Sequence, residues 1–261
     1  HMIVVTWNVN SIKVRLHAVL QYLSEENPDV LVLQETKSID ENFPVSAFSD
    51  IGYHVIFCGQ KTYNGVAIIS KDEPQDVHIN PVSTDENEMR SISAIYNGIR
   101  IVNLYVVNGQ NVGTPKYEYK LKWLNKLISY TKKELEKSND LILLGDFNIA
   151  PTDNDVFDVE ITHDEILCSP KERELLAKLF SLGLYDLFND YDYPSQTFTW
   201  WDYRGGAFQR NIGYRIDLVL GSKSIKKRCS EYFIDKKTRH KSWCLAEPRT
   251  SDHVPVRILL D

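Results

Sequence analysis

The stretch "LILLGDFNIAP", residues 141–151, carries four apolar residues into Gly145 and then sets Asp146, Phe147 and Asn148 ahead of Pro151. An unbroken apolar run of this length reads as a buried strand. It ends on a carboxylate and a carboxamide two residues apart. In an extended chain such residues share one side. Asp146 and Asn148 are therefore expected to face one point, with Phe147 turned the other way into the core. Gly145 is expected to let the backbone turn close to a substrate, and Pro151 and Asp153 to lead the chain away.

Working outward, "MIVVTW" reads as a short strand, and Ser11 can cap a helix whose apolar positions are Ile12, Leu16, Val19, Leu20 and Leu23. Asn27-Pro28 stops that helix. "DVLVLQE", "YHVIF" and "GVAIIS" are further strands, the last two separated by a turn at Asn64-Gly65. "RSISAIY" and "IRIVNLYVV" form a hairpin through Asn97-Gly98. A helix starts near Pro115, with Tyr117, Leu121, Leu124, Ile128 and Leu135 on one face. Lys116, Lys120, Lys122, Lys126, Lys132 and Lys133 lie on the other, of which those from 120 to 133 read as a solvated face. "KERELLAKLFSLG" is a shorter helix ended at Gly183. "TFTWWDYR", "YRIDLVLG" and "VPVRILL" complete the strands. Hairpins mixed with strand–helix–strand units imply an α/β protein with mixed sheets covered by helices.

The 261 residues show no repeat, low-complexity run or linker, so one domain over residues 2–261 is expected, with His1 a cloning remnant. No apolar stretch approaches membrane-spanning length. Cys58, Cys168, Cys229 and Cys244 fit no zinc spacing and read as reduced thiols of a cytoplasmic protein, and a monomer is expected. A net charge of −6 argues mildly against nucleic acid, but the local field at a binding face decides that.

Several strands end in polar residues: Asn8, Glu35, Tyr105, the pair Asp146 and Asn148, Asp217 within "YRID", and Asp252-His253 before the last strand. Each has an ordinary structural reading as a turn former, a loop cap or an ion-paired carboxylate. Together they are a set of hard oxygen donors with one histidine. Such a set suits Mg²⁺ or Mn²⁺ and phosphoryl chemistry, not zinc. No G-x-x-x-x-G-K-[ST] loop is present, which argues against a P-loop NTPase.

The run "TWNVNSIKVR", "LVLQETK", "GVAIIS", "NLYVVNG", "LILLGDFNIAPTDND", "TFTWWDYR", "GYRIDLVL" and "SDHVPV" resembles the exonuclease III family of AP endonucleases, in order and spacing, from residue 3 to residue 260. The resemblance implies a DNase I-like four-layer α/β sandwich, two sheets face to face with helices outside. It implies that Glu35 is the principal metal carboxylate with Asn8 beside it and Asp252 close by, and that Asp146 holds and activates water. Asn148 and His253 would contact the scissile phosphate and complete the donor set around the metal. Asp217 would orient His253, and Tyr105 would hydrogen-bond near the phosphate. Asn108 would contact substrate, and Trp200, Tyr214 and Ile216 would line a pocket for a base-less sugar, with Arg204 on the adjoining loop. The family's Tyr-x-Pro turn is here Tyr105-Val106-Val107, and valine does not fix φ as proline does.

The expected activity is Mg²⁺-dependent cleavage of the phosphodiester 5′ to an abasic site in duplex DNA, with Mn²⁺ able to substitute. Trimming of blocked 3′ ends, as exonuclease or 3′-phosphatase, is expected at the same site. Arg15, Lys37, Lys61, Arg90, Lys116, Arg204 and Arg210 are candidate backbone contacts, and "KKTRHK", 236–241, is either a DNA arm or an exposed loop. The alternatives are a lipid or inositol phosphoesterase of the same superfamily and a catalytically dead DNA-binding module.

Overall fold

The computed structural model describes residues 1–261. One six-stranded sheet contains β1 (Met2–Asn8), β2 (Val30–Gln34), β3 (His54–Cys58), β4 (Val66–Ser70), β13 (Cys229–Ile234) and β14 (Val256–Leu260). Its order is β13-β14-β1-β2-β4-β3, with β1 and β2 parallel and the other pairs antiparallel. The second sheet has β5 (Gln75–Ile79), β6 (Ser91–Tyr96), β7 (Ile99–Tyr105), β8 (Leu141–Asp146), β9 (Leu184–Asp186) and β12 (Asp217–Ser222) in the order β5-β6-β7-β8-β12-β9. Only β7 and β8 are parallel there. Both sheets are therefore mixed.

Period-2 alternation divides each central strand between two cores. Ile142 and Leu144 of β8 join Val4, Val32, Ile101, Val219 and Ile258 in the layer between the sheets. Leu141 and Leu143 face outward onto α3 (Pro115–Lys137) and α5 (Pro170–Ser181) through Leu124, Leu127, Leu176 and Leu179. On the far side, Val5, Trp7, Leu31 and Leu33 pack under α1 (Ile12–Glu26), against Ala18, Val19 and Leu23. The result is helix–sheet–sheet–helix, the four-layer sandwich.

The local signals act as expected at several joints. Ser11 accepts from the Val14 amide as the α1 N-cap, and Asn27 ends the helix in the left-handed region. Asn97 and Gly98 both take positive φ, 50° and 79°, the geometry of a two-residue type I′ hairpin.

Other segments differ. "TFTWWDYR" contributes only β10 (Trp200–Trp201), paired with β11 (Gly213–Tyr214) outside both sheets, and β12 begins at Asp217 rather than Tyr214. Strands β5, β9 and β13 were not expected, because they are short or largely exposed and carry little alternation. Gly145 serves the sheet rather than a substrate. At φ 143° it lies against β7, and a Cβ there would overlap the Leu104 carbonyl oxygen. Lys120 is not on a solvated face. It follows the α3 stripe of Leu124, Leu127 and Thr131 at helical spacing and is fully buried, whereas Lys122, Lys126, Lys132 and Lys133 are exposed.

Candidate active site

The site forms where both sheets end on the same side. In the second sheet Tyr105, Asp146 and Asp217 stand side by side on β7, β8 and β12. In the first, Asn8 ends β1 opposite Gln34, and Glu35 follows at once with φ 55°. A buried polar tie holds the two ends together. Gln34 Nε2 donates to Thr6 Oγ1 at 2.9 Å and to Asn103 Oδ1 at 2.8 Å. Asn103 Nδ2 in turn donates to the Leu33 and Ala67 carbonyls.

Asp146 is the centre of this set. Asn8 Nδ2 donates to Asp146 Oδ2 at 2.9 Å and to Glu35 Oε1 at 2.7 Å. The Asn148 amide donates to Asp146 Oδ1 at 3.0 Å, so the chain does not stay extended: Asn148 sits at φ 48° in an Asx turn. The turn, not strand alternation, brings Asn148 beside Asp146. Phe147 points into the outer core and is fully buried.

His253 Nδ1 lies 2.8 Å from Asp217 Oδ2, and its Nε2 lies 3.5 Å from Asp146 Oδ2. The Asp217 contact fixes the ring so that Nε2 faces the open site. Burial disfavours the imidazolium, but the charges of Asp217 and Asp146 outweigh it and raise the His253 pKa to about 10. Burial, together with the charges of Asp217 and Glu35, raises Asp146 to about 7 against the pull of His253. Burial and the Glu35 charge also push the Tyr105 hydroxyl well up, so it stays a proton donor.

Glu35, Asp146 and His253 offer ligand atoms that all lie within 4.8 Å of one another. Asp217 adds a further carboxylate whose Oδ1 is buried without a hydrogen-bond partner. Carboxylates thus outnumber cations here, and their repulsion adds to burial in raising Asp146. A divalent cation on Glu35 and Asp146 relieves that repulsion, and the oxygen-rich donors fit a hard ion. Asp252 stands outside this group. Its Oδ2 accepts from Trp200 Nε1 at 3.0 Å and its Oδ1 from Asn10 Nδ2 at 3.4 Å.

On the far side of Trp200, whose ring is 6.4 Å from that of His253, is a cavity of about 470 Å³ lined by Phe157, Trp200, Arg204, Ala207, Ile212 and Tyr214 among others. The rings of Trp200 and Tyr214 are 5.9 Å apart. Ile216 does not reach its wall. It is buried below Trp200 and Tyr214 with Val156, Leu167 and Cys168, where its apolar side chain joins a small core of its own. Arg204 is exposed and held by Asp202 in a two-point contact of 3.1 and 2.8 Å.

Asn108 is exposed, with Nδ2 3.4 Å from Asn148 Oδ1. What positions it escaped sequence reasoning. Lys120 Nζ donates to the Asn108 carbonyl at 3.1 Å and to the Asn148 carbonyl at 2.6 Å, and pairs with Glu172. Both side chains of that pair are fully buried. A lysine at i−4 to Leu124 and i−7 to Leu127 was the available signal. Also missed was Arg215, buried between Asp155 at 2.7 Å and Asp186 at 2.8 Å, which pins the segment leading into Asp217.

Among the candidate phosphate contacts, Arg15 is buried and donates to the Asn10 carbonyl at 2.6 Å and to Tyr203 Oη at 3.1 Å. Arg90 is buried against Glu88 at 2.9 Å and over the Tyr105 ring. Both are structural as they stand. Lys37 lies 3.5 Å from Glu35, while Lys61, Lys116, Arg204 and Arg210 are exposed. All four cysteines are free, and no helix is long and apolar enough to cross a membrane.

The endonuclease/exonuclease/phosphatase family model matches residues 5–253. The chain belongs to that family. An exodeoxyribonuclease III from Haemophilus influenzae is 32% identical over 97% of each chain, and an exodeoxyribonuclease from Bacillus subtilis is 31% identical over the full length of both. A 3′ phosphatase from Neisseria, NExo, solved with a product DNA hairpin, superposes with a TM-score of 0.95 at 42% identity, each chain covered completely. An AP endonuclease from Archaeoglobus fulgidus gives 0.92 at 38%, again with complete coverage. The fold and the kinship with exonuclease III-type nucleases thus agree with the resemblance drawn from the sequence.

Proposed function

We propose that the protein is a Mg²⁺-dependent DNA repair nuclease that hydrolyses the phosphodiester 5′ to an abasic site in duplex DNA and trims blocked 3′ ends at the same site. The observation that carries this reading is the meeting of Glu35, Asp146 and His253 beside an aromatic cavity. Glu35 and Asp146 would hold the Mg²⁺, which when bound neutralises charge on the phosphate and the leaving oxygen. Asp146, fixed by Asn8 Nδ2 and the Asn148 backbone amide, orients the attacking water and takes its proton. His253, kept charged by Asp217, donates from Nε2 to a phosphate oxygen. Asn148 and the Tyr105 hydroxyl lie within the same pocket of charge and steady the trigonal-bipyramidal phosphorus. Donors placed where charge develops contribute several kcal/mol. Trp200 and Tyr214 receive the extruded sugar, whose missing base lowers the cost of leaving the stack. Attack on a phosphorus next to a 3′ carbon also describes 3′ trimming, which leaves the same 3′-hydroxyl.

The test is a duplex with one abasic site and a labelled 3′ end, followed with and without Mg²⁺. Metal-dependent incision 5′ to the site, with shortening or dephosphorylation of a blocked 3′ end, is the expected result. DNA binding without Mg²⁺-dependent turnover would refute the proposal.

A further inference from the structure

The stretch 236–241 separates into two roles. Lys237 is tied to Glu26, Glu25 and Asp235, and Arg239 donates to the Trp201 carbonyl at 2.7 Å and the Asp252 carbonyl at 3.0 Å. These contacts fasten the segment to the site. The residues that follow are exposed and wall a cleft of about 840 Å³, in which His240, Lys241 and Arg249 face Tyr203, Gly206 and Gln209. Arg239 forms its floor. No carboxylate lines it, although the chain as a whole has a net charge of −6. Arg249 is held in place, its guanidinium 4.1 Å from the centre of the Tyr203 ring.

The cleft's position gives it meaning. Gly206 faces the cleft, while its neighbours Gly205 and Ala207 line the Trp200–Tyr214 cavity. The two spaces are therefore separated by a wall one chain thick. Tyr203, on the cleft side, is fixed by its hydroxyl donating to the Thr250 carbonyl at 2.7 Å and by Arg15. A polyanion lying over the aromatic cavity needs only to cross this wall to reach Lys241 and Arg249, which no carboxylate of the cleft neutralises.

We infer that this cleft is a second seat for the sugar–phosphate backbone, and that duplex DNA engaged at the aromatic cavity continues over the 202–212 loop and places phosphates against Lys241 and Arg249. This rests on the nuclease reading only for the identity of the polymer, since the binding needs no chemistry. The contacts carry no base recognition, so they add affinity and register rather than sequence preference.

The experiment uses the full chain and a duplex with a central abasic site, with binding measured in chelator so that no cleavage occurs. Lys241 and Arg249 are exposed, so Lys241→Ala/Arg249→Ala leaves the core intact. Loss of two phosphate contacts lowers the slope of log affinity against log salt by about 1.8. Between about 50 and 200 mM salt the native protein then loses roughly tenfold more affinity than the variant. Turnover at saturating DNA stays native. A control, Lys223→Ala/Lys227→Ala, removes the same charge from the exposed face of α6 (Lys223–Arg228) and keeps the native slope. An unchanged slope in the cleft variant, or an equal drop in the control, overturns the inference. If the native protein binds with a cleft-dependent slope yet fails to cut with Mg²⁺, the nuclease reading falls and the cleft stands.

Discussion

Replacing Glu172 by glutamine tests how the buried Lys120 supports the site. Lys120 Nζ has three protons and three acceptors: the Asn108 and Asn148 carbonyls and Glu172. Glu172 also accepts from the Leu167 amide at 3.0 Å and Ser169 Oγ at 2.8 Å. Glutamine keeps the shape but removes the charge, leaving a cation with no counter-charge where both side chains are wholly buried. Breaking such a pair typically costs about 3–5 kcal/mol. An upper bound follows from the alternative open to the lysine, which is to lose its proton. Burial already lowers the Lys120 pKa. Neutralising a lysine of ordinary pKa at pH 7.5 costs about 4 kcal/mol. Unfolding a chain of 261 residues carries roughly 0.55 kcal/mol/K, so the variant should melt about 7 °C lower at that pH. The sign of the pH dependence is also set. In the variant the folded lysine is neutral and the unfolded one protonated, so the unfolded state binds more protons and stability rises with pH. The deficit should shrink by about 1.4 kcal/mol per pH unit between pH 7 and 9. Thermal melts of both proteins in chelator across that range provide the assay. A variant melting within 2 °C of native at pH 7.5, or one whose deficit grows with pH, would refute the reasoning. Lys120→Met should lower turnover more than Glu172→Gln, assayed where both remain folded, because it strips the donor from both asparagine carbonyls.

Asp146→Asn should remove Mg²⁺-dependent cleavage of abasic duplex while leaving a folded protein; near-native turnover in a gel assay would sink the assignment of this residue. Asp217→Asn disturbs the proton placement on His253 Nδ1 and should lower kcat by about 10²–10⁴ with little change in DNA affinity, as single-turnover kinetics would report. Gly145→Ala forces a methyl group onto the Leu104 carbonyl at φ 143° and should destabilise by about 2 kcal/mol or more, visible as a lower denaturation midpoint. Adding Mg²⁺ to chelated protein should raise Tm in proportion to the logarithm of free metal, and Glu35→Gln should flatten that response in a calorimetric titration.

Much of this molecule follows from local pattern. The run Leu141–Leu144 declares a strand buried on both faces, Ser11 and Asn27 bound α1, and Asn97-Gly98 closes a hairpin, because each depends on chemistry within a few residues. The polar residues at the strand ends were equally legible, since carboxylates and amides closing apolar runs are costly without a purpose. Distance in the chain hid the rest. That Ile216 sinks beneath the cavity and that Gly145 makes room for Leu104 are set by neighbouring strands and loops, whereas Asn148 turns back on Asp146 through a local Asx turn that the strand-like run masks. Lys120 and Glu172 are 52 residues apart, and only packing makes one neutralise the other. The sequence alone thus determined the elements and the types of group the site contains. Tertiary structure decided which groups touch, because burial and electrostatic strength depend on neighbours that the order of residues does not name.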